Sequence, residues 1–435
     1  MRMPPLALVL ALPLAAQVQG VKETARPAAI SDQVGLVAPG WAGRIPPAGD
    51  VNVPGFLKQL APGQGFALAV SAEGKEGEAL LEGRTLDVKI TSPAGVAEFK
   101  GLKASALRRI KPTGFDFSLR MLEAAGIAAK DRAALEASVP KVAFAVFETG
   151  WQAPEGPGGE VRIEAVLGGT GTRMDLKPAT LALRSWEAFA QDQPLDLEAV
   201  DGLSKGYHEA PEPGRLLAVL RAVAGKPLES PSVHSFLAFA FARSPLAWKA
   251  AQSAITFHQP EAWWALVVIQ RLNGEDIGPL MEALPAEVRG RAEAAALKVP
   301  PLGDPRNFAP WVDPVDPQRV GTMGVQMDHC WGAWMATGDP SYLRAMVGLL
   351  AGAPDFPAYQ AWLKARSGLK GLDARVARGM AYQIGGWSLA AFQRADPQVA
   401  DWLRHWERDP AIPEALREQI RSLPTHKAFE RPKEP

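Results

Sequence analysis

The hydrophobic period changes once along this chain, near residue 195, and that switch constrains the fold more than any motif does. Between residues 55 and 192 the apolar residues come in runs of strand length: "GFALAVSA", "RTLDVKIT", "GVAEFKGL", "KVAFAVFE", "EVRIEAVL" and "DLKPATLAL". Several alternate apolar with polar, as strands do when one face lies on a core. Turns such as Ser92-Pro93-Ala94-Gly95 and the Pro/Gly run 154–159 separate them. Two short helical patterns, "SLRMLEAAGI" and "AAKDRAALEASV", interrupt. The sum predicts a β-rich, sandwich-like or open-barrel domain with a helical insertion.

From 195 to 425 the period is helical. Apolar residues recur at three- and four-residue spacing over 214–224, 232–243, 246–257, 260–272, 286–297, 319–337, 340–351, 356–366, 372–394, 397–407 and 412–422. The expected class is therefore α+β and multidomain, a β-rich unit followed by an all-α unit. Ten of the 13 tryptophans lie beyond residue 240, which suits broad helix faces packed in layers. Four stretches share one shape, an aromatic-bearing helix, a short turn and a second helix, with turns near 245, 275, 340 and 397. Their spacing is uneven, and a solenoid keeps a constant period, so the expectation is irregular helical hairpins.

The two ends of the chain have characters of their own. Residues 1–20, "MRMPPLALVLALPLAAQVQG", have a basic start at Arg2, an apolar run from Leu6 to Ala16 and small residues around a cut after Ala16 or Gly20. This reads as a secretory signal peptide. A transmembrane anchor needs about 20 apolar residues, and this run is shorter and broken by Pro13. Export to a periplasm or the medium is the expectation. Residues 21–54 are rich in Pro, Gly and Ala and read as an extended linker or surface strap, and 426–435 as a polar tail. The single cysteine, Cys330, can form no internal disulfide, so the fold rests on its core.

That cysteine stands beside Asp328 and His329 in "GVQMDHCWGAWMATGDPSYL". At about 100° per residue, Met327, Cys330, Trp331, Trp334 and Met335 share one helical face about 140° wide. Cys330 therefore points into a core, away from His329, and a proton relay between these neighbours is disfavoured. His329 shares its own face with Val325, Gly332 and Ala336, small enough to admit another helix closely. In the turn that follows, Gly338 suits a left-handed helix end, Asp339 an N-cap and Pro340 a first turn.

"DHCWGAWMATGDPSYL", with the later "QIGGWSLAAFQRADPQV", resembles an uncharacterised group of exported bacterial proteins. Their C-terminal halves carry a Trp-containing helix, an Ala-Thr-Gly-Asp turn and a later Trp-Ser-Leu helix. The likeness covers residues 230–410. It implies the helical-hairpin fold and brings no activity and no site.

Chemistry-bearing patterns are few. Lys plus Arg and Asp plus Glu are 47 each, so no field draws nucleic acid. The six histidines, 208, 234, 258, 329, 405 and 426, include no HExxH and no i, i+4 pair, and no zinc spacing or cofactor fingerprint appears. "GGTGTRMD" lacks the lysine of a P-loop, and "GWSLA" lacks the second glycine and the strand-to-helix setting of a nucleophile elbow. Residues assembled from distant positions are invisible at this level, and Tyr207, Tyr342, Tyr359 and Tyr382 could contribute to such a site.

One stretch reads as a binding element. Residues 300–318 hold six prolines with Asn307, Trp311, Asp313 and Asp316, and long loops in compact domains are often binding elements or linkers. Two functions follow as expectations. The first is an exported non-enzymatic protein whose helical hairpins bind an envelope protein or peptide. The second is a carbohydrate-active or glycan-binding protein with a Trp-lined cleft around His258, Glu261, Trp263, Trp264 and Asp276, which as an enzyme needs two carboxylates at a set separation.

Overall fold

The computed structural model describes residues 29–52, 55–74, 76–110, 142–169, 171, 173–223, 231–258, 263–296, 303–312, 322–365, 371–426 and 429. The leader 1–20 and the helical insertion read at 118–139 lie outside them.

Nine strands precede the helical half: β1 (Ala29–Val37), β2 (Gln59–Leu60), β3 (Gly65–Glu73), β4 (Thr85–Ser92), β5 (Gly95–Ile110), β6 (Val142–Gln152), β7 (Gly159–Gly168), β8 (Met174–Asp175) and β9 (Ala179–Leu183). They form one path, β1-β3-β6-β5-β4-β7-β9-β2, with β8 on β7. The sheet is one curled surface rather than two stacked sheets because β5 serves both halves. Its residues 95–103 pair with β4 and 104–110 with β6, with a register shift at Ala104/Ala106. Such a shift bends a strand. The two ends of the path meet: Val37 bridges Phe56, Leu57 N donates to the Leu36 carbonyl at 2.7 Å, and Lys177 N donates to the Asp32 carbonyl at 2.7 Å. The curl encloses Leu68, Val70 and Phe147 from one half with Val88, Ile90, Val161 and Ile163 from the other.

The segment expected as a linker at 21–54 contains β1. A register shift between Ile30 and Val34 breaks the alternation that would have revealed it. Its continuation packs Trp41, Ile45 and Val51 on the outer face of β3 and β6, against Ala67, Ala69 and Val146. Both faces of β3 are thus buried, and "GFALAVSA" alternates large with small instead of apolar with polar.

A short helix, α1 (Gly77–Leu81), lies between β3 and β4. The helical half comprises α2 (Trp186–Ala190), α3 (Leu197–Gly206), α4 (Leu216–Ala222), α5 (Pro231–Ala242), α6 (Pro245–His258), α7 (Trp263–Leu272), α8 (Gly278–Ala283), α9 (Ala286–Ala296), α10 (Ala309–Val312), α11 (Met323–Thr337), α12 (Pro340–Gly348), α13 (Phe356–Ala365), α14 (Ala374–Ala395), α15 (Pro397–Arg408) and α16 (Glu414–Ser422). One apolar cluster runs through it. Helix α11 is its axis: Met327, Cys330, Trp331, Trp334 and Met335 are all buried. Trp331 stacks on Phe392 with centroids 3.6 Å apart and donates to Ser388 Oγ at 2.6 Å. On the opposite side, Gly332 lies so close to α5 that a Cβ there would stand 1.9 Å from Ser235 Oγ and 2.4 Å from the Ser232 carbonyl. The tail is not wholly polar, for Phe429 is buried with its ring over Gly386.

Candidate functional site

Sheet and helices meet along a polar seam, and residues 207–210 lie in it. They follow α3, whose start is set by Asp196, its carboxylate accepting from Ala199 N at 2.7 Å. The end of that helix turns two rings inward. Tyr207 meets Phe236 edge-on at 5.2 Å, and His208 lies 4.8 Å from Trp334 with Nε2 3.1 Å from Gln398 Oε1. From the sheet side comes Arg44, which donates through Nη1 to the His208 carbonyl at 2.5 Å and through Nη2 to the Pro39 carbonyl. Gly338 takes the left-handed conformation that ends α11, and a Cβ there would lie 3.0 Å from Arg44 Cδ and 3.2 Å from His208 Cβ. The hairpin turn thereby makes room for the seam.

Asp396 caps α15: Oδ1 accepts from Gln398 N at 2.8 Å and Val399 N at 3.3 Å, and Oδ2 from Trp334 Nε1 at 3.2 Å. One nitrogen of His208 and one carboxylate oxygen each of Glu209 and Asp396 lie within 4.8 Å of one another. Three further bonds tie the halves together: Trp402 Nε1 to the Arg44 carbonyl at 3.0 Å, Asn52 Nδ2 to Asp401 Oδ2 at 2.9 Å, and Gln64 Nε2 to the Pro211 carbonyl at 2.6 Å.

Burial dominates the electrostatics. It pushes the Glu209 carboxyl up to about 7, with the neighbouring Asp396 adding to the rise. It lowers His208 below its ordinary value, assisted by Arg44 and opposed by Asp396, Gln398 and the Met335 carbonyl. That carbonyl acts on the ring's charge without completing a hydrogen bond, and Nδ1 of the buried imidazole has no hydrogen-bond partner. Burial and Arg243 bring Arg44 down to about 10, against the pull of Glu148. The cluster thus holds a neutral imidazole beside two carboxyls, one of which resists ionisation.

The same turn has a second side. A groove of about 340 Å³ runs along α3, lined there by Ala199, Gly202, Leu203 and Gly206 and closed by Glu212 and Arg215. Its volume lies at the low end of the roughly 300–1,000 Å³ of ligand clefts. A Cβ at Gly202 or Gly206 would meet nothing within 4 Å.

The residues singled out by sequence are not gathered here. Asn307 Oδ1 accepts from Ala309 N at 3.3 Å, and Trp311 packs on the helical core and donates to Thr322 Oγ1 at 3.1 Å. Asp313, Asp316 and Glu261 lie outside the described residues. Trp263 is buried, with Arg291 5.9 Å above its ring, and Trp264 follows it in α7. Asp276 Oδ1 accepts from Gly278 N at 2.9 Å, in the turn before α8. Of the seam's residues, sequence reasoning named only Tyr207, as one that could join a site assembled from distant positions; the others escaped because they come from positions near 44, 208 and 396. Helix α3 escaped too, although Asp196 followed by apolar residues at 197, 200 and 203 is an N-cap before a helical spacing.

No family model and no curated protein matches this chain. Among solved structures, the C-terminal domain of the AgI/II polypeptide BspA of Streptococcus agalactiae is similar over part of the length, with 10% identity and a TM-score of 0.15. The match covers 37% of this chain and 50% of that one. The chain thus spans about half of that domain, and the likeness carries no argument about fold or activity.

Proposed function

We propose that this is an exported, non-enzymatic protein that binds another envelope protein or peptide, and that the groove along α3 receives a helix of that partner. The observation that carries the reading is the pair Gly202 and Gly206. A glycine in a helix costs about 1 kcal/mol relative to alanine. Four glycines of α11 and α14 are explained by close neighbours, Ser235 against Gly332, the Asp355 carbonyl against Gly379, Leu349 against Gly385 and Phe429 against Gly386. Gly290, Gly324 and Gly348 are also open, but each stands alone on its helix face. At 202 and 206 two open glycines fall one turn apart on the wall of a groove, beside Ala199, where a backbone from outside the chain can come close. Leu203, which lines the groove, gives that partner an apolar contact, and the Glu212 and Arg215 pair at the rim offers both charges.

Export is supported by the leader pattern at 1–20. No helix among the described residues is long and apolar enough to cross a membrane.

The test is a photo-crosslinker at position 199, in wild type and in a Gly202→Leu, Gly206→Leu variant that fills the groove without touching the fold. One envelope protein should crosslink to wild type at near-equal amount and be lost from the variant, with circular dichroism and melting temperature retained. Equal crosslinking in both would refute the groove.

A further inference from the structure

We propose that His208, Glu209 and Asp396 bind one divalent transition-metal ion of the zinc kind at the seam, a site that does not depend on the groove's occupant. Three donors from two distant parts of the chain already converge within 4.8 Å. The imidazole is 1% exposed, and its Nδ1 completes no hydrogen bond although the Met335 carbonyl acts on the ring, an arrangement that costs free energy. The Glu209 carboxylate has no hydrogen bond or ion pair among the described residues, although Asp396 lies beside it. Two carboxylates and a neutral imidazole with no cation bonded to Glu209 leave a place for positive charge.

The neighbouring cations do not fill it. Arg44 spends its guanidinium on the carbonyls of His208 and Pro39, and Arg243 donates to the Thr337 carbonyl at 3.2 Å. Glu148, the remaining charged group facing Arg44, accepts from Gly40 N at 2.9 Å. Outside the three donors, Trp334 and Gln398 hold Asp396 and His208 in place, the outer-shell arrangement common around metal ligands.

The donor set selects the ion. Calcium takes about six to eight oxygens, whereas one imidazole and two carboxylates suit zinc or a neighbouring first-row ion, with a fourth position open to water. Bonds of about 2.0 Å place tetrahedral ligands roughly 3.3 Å apart, so the cluster must contract on binding. Glu209, held by no partner, is the side chain able to move. A bound ion would join the turn after α3 to the head of α15 and raise the melting temperature.

The experiment uses the purified chain stripped of metal, with Zn2+ alone as probe in calorimetry and Co2+ as a spectroscopic reporter. The variants are Glu209→Gln, which keeps the shape, and Asp396→Asn, which keeps an N-cap. Wild type should bind one Zn2+, melt several degrees higher with it, and ignore Ca2+ and Mg2+. Each variant should fold and bind at least tenfold more weakly. Absence of one-to-one binding in wild type would overturn the proposal, as would equal affinity in folded variants, which places the ion elsewhere.

Discussion

Replacing Gly332 by alanine tests the close approach at the centre of the helical half. The new Cβ would stand 1.9 Å from Ser235 Oγ, 2.4 Å from the Ser232 carbonyl oxygen and 2.6 Å from Phe236 N. Two of these are backbone atoms of α5, so no rotamer change relieves them and the helices must separate. Overpacking of this kind costs about 1–3 kcal/mol. Separation also strains the bond from the Ser235 hydroxyl to the His329 carbonyl, 3.2 Å long, a net loss of about 1 kcal/mol. Alanine returns about 1 kcal/mol through helix propensity. The sum is a destabilisation of about 1–3 kcal/mol. Gly290→Ala in α9 is the control, since its Cβ meets nothing within 4 Å and the propensity gain should stand alone. Urea unfolding followed by tryptophan fluorescence, with Trp331 beside the mutated position, gives both values. A Gly332→Ala midpoint equal to or above wild type would refute the packing argument.

Two further outcomes follow from burial. His234 is held down to about 3, by burial and then by His329, and His329 to about 4 by burial. Both folded values lie below the unfolded 6.5, so the unfolded chain binds more protons and stability falls as pH drops through 6.5 toward 4. The slope approaches 1.4 kcal/mol per unit for the buried His234 and is smaller for the half-buried His329. Asp328, raised by burial, offsets part of this loss in the carboxylate range. Urea midpoints at pH 7, 6 and 5 should decline in wild type and flatten in His329→Gln, and parallel curves would count against the assignment. The Cys330 thiol is fully buried, 3.5 Å from the Tyr342 carbonyl, and pushed up mainly by burial. A thiol reagent at pH 8 should label it only in denaturant, and labelling of native protein at the rate of an exposed cysteine would contradict the packing.

The helical hairpins were legible because each depends on neighbouring residues. Gly338 at φ 64°, Asp339 accepting from Ser341 N at 2.9 Å and Pro340 in the first turn form the motif their order announces. The small face around Gly332 was legible for the same reason, and α5 packs on it there, while Val325 at its start stays exposed. The open-barrel alternative anticipated a curled sheet, but the strand order was not legible, since β5 changes partners midway and a strand's own residues do not state whom it pairs with. Nor was the seam. Tyr207, His208 and Glu209 form no spacing motif, and their meaning comes from Arg44 and Asp396, which are remote in sequence. That the Trp311 indole would reach Thr322 and a face of the helical core was not legible either, since a proline-rich stretch does not state where it docks.

The seam also sets a schedule. The carbonyl of Arg44 waits for the indole of Trp402, 358 residues later, and Asn52 waits for Asp401, 349 residues later. At ribosomal rates of roughly 5–20 residues per second, the first-made side of this joint stands without its counterpart for about 20–70 s. During that interval Asn52 and the Arg44 carbonyl lack these partners, and all nine strands are complete in sequence by Leu183, before the helices they lean on have been made.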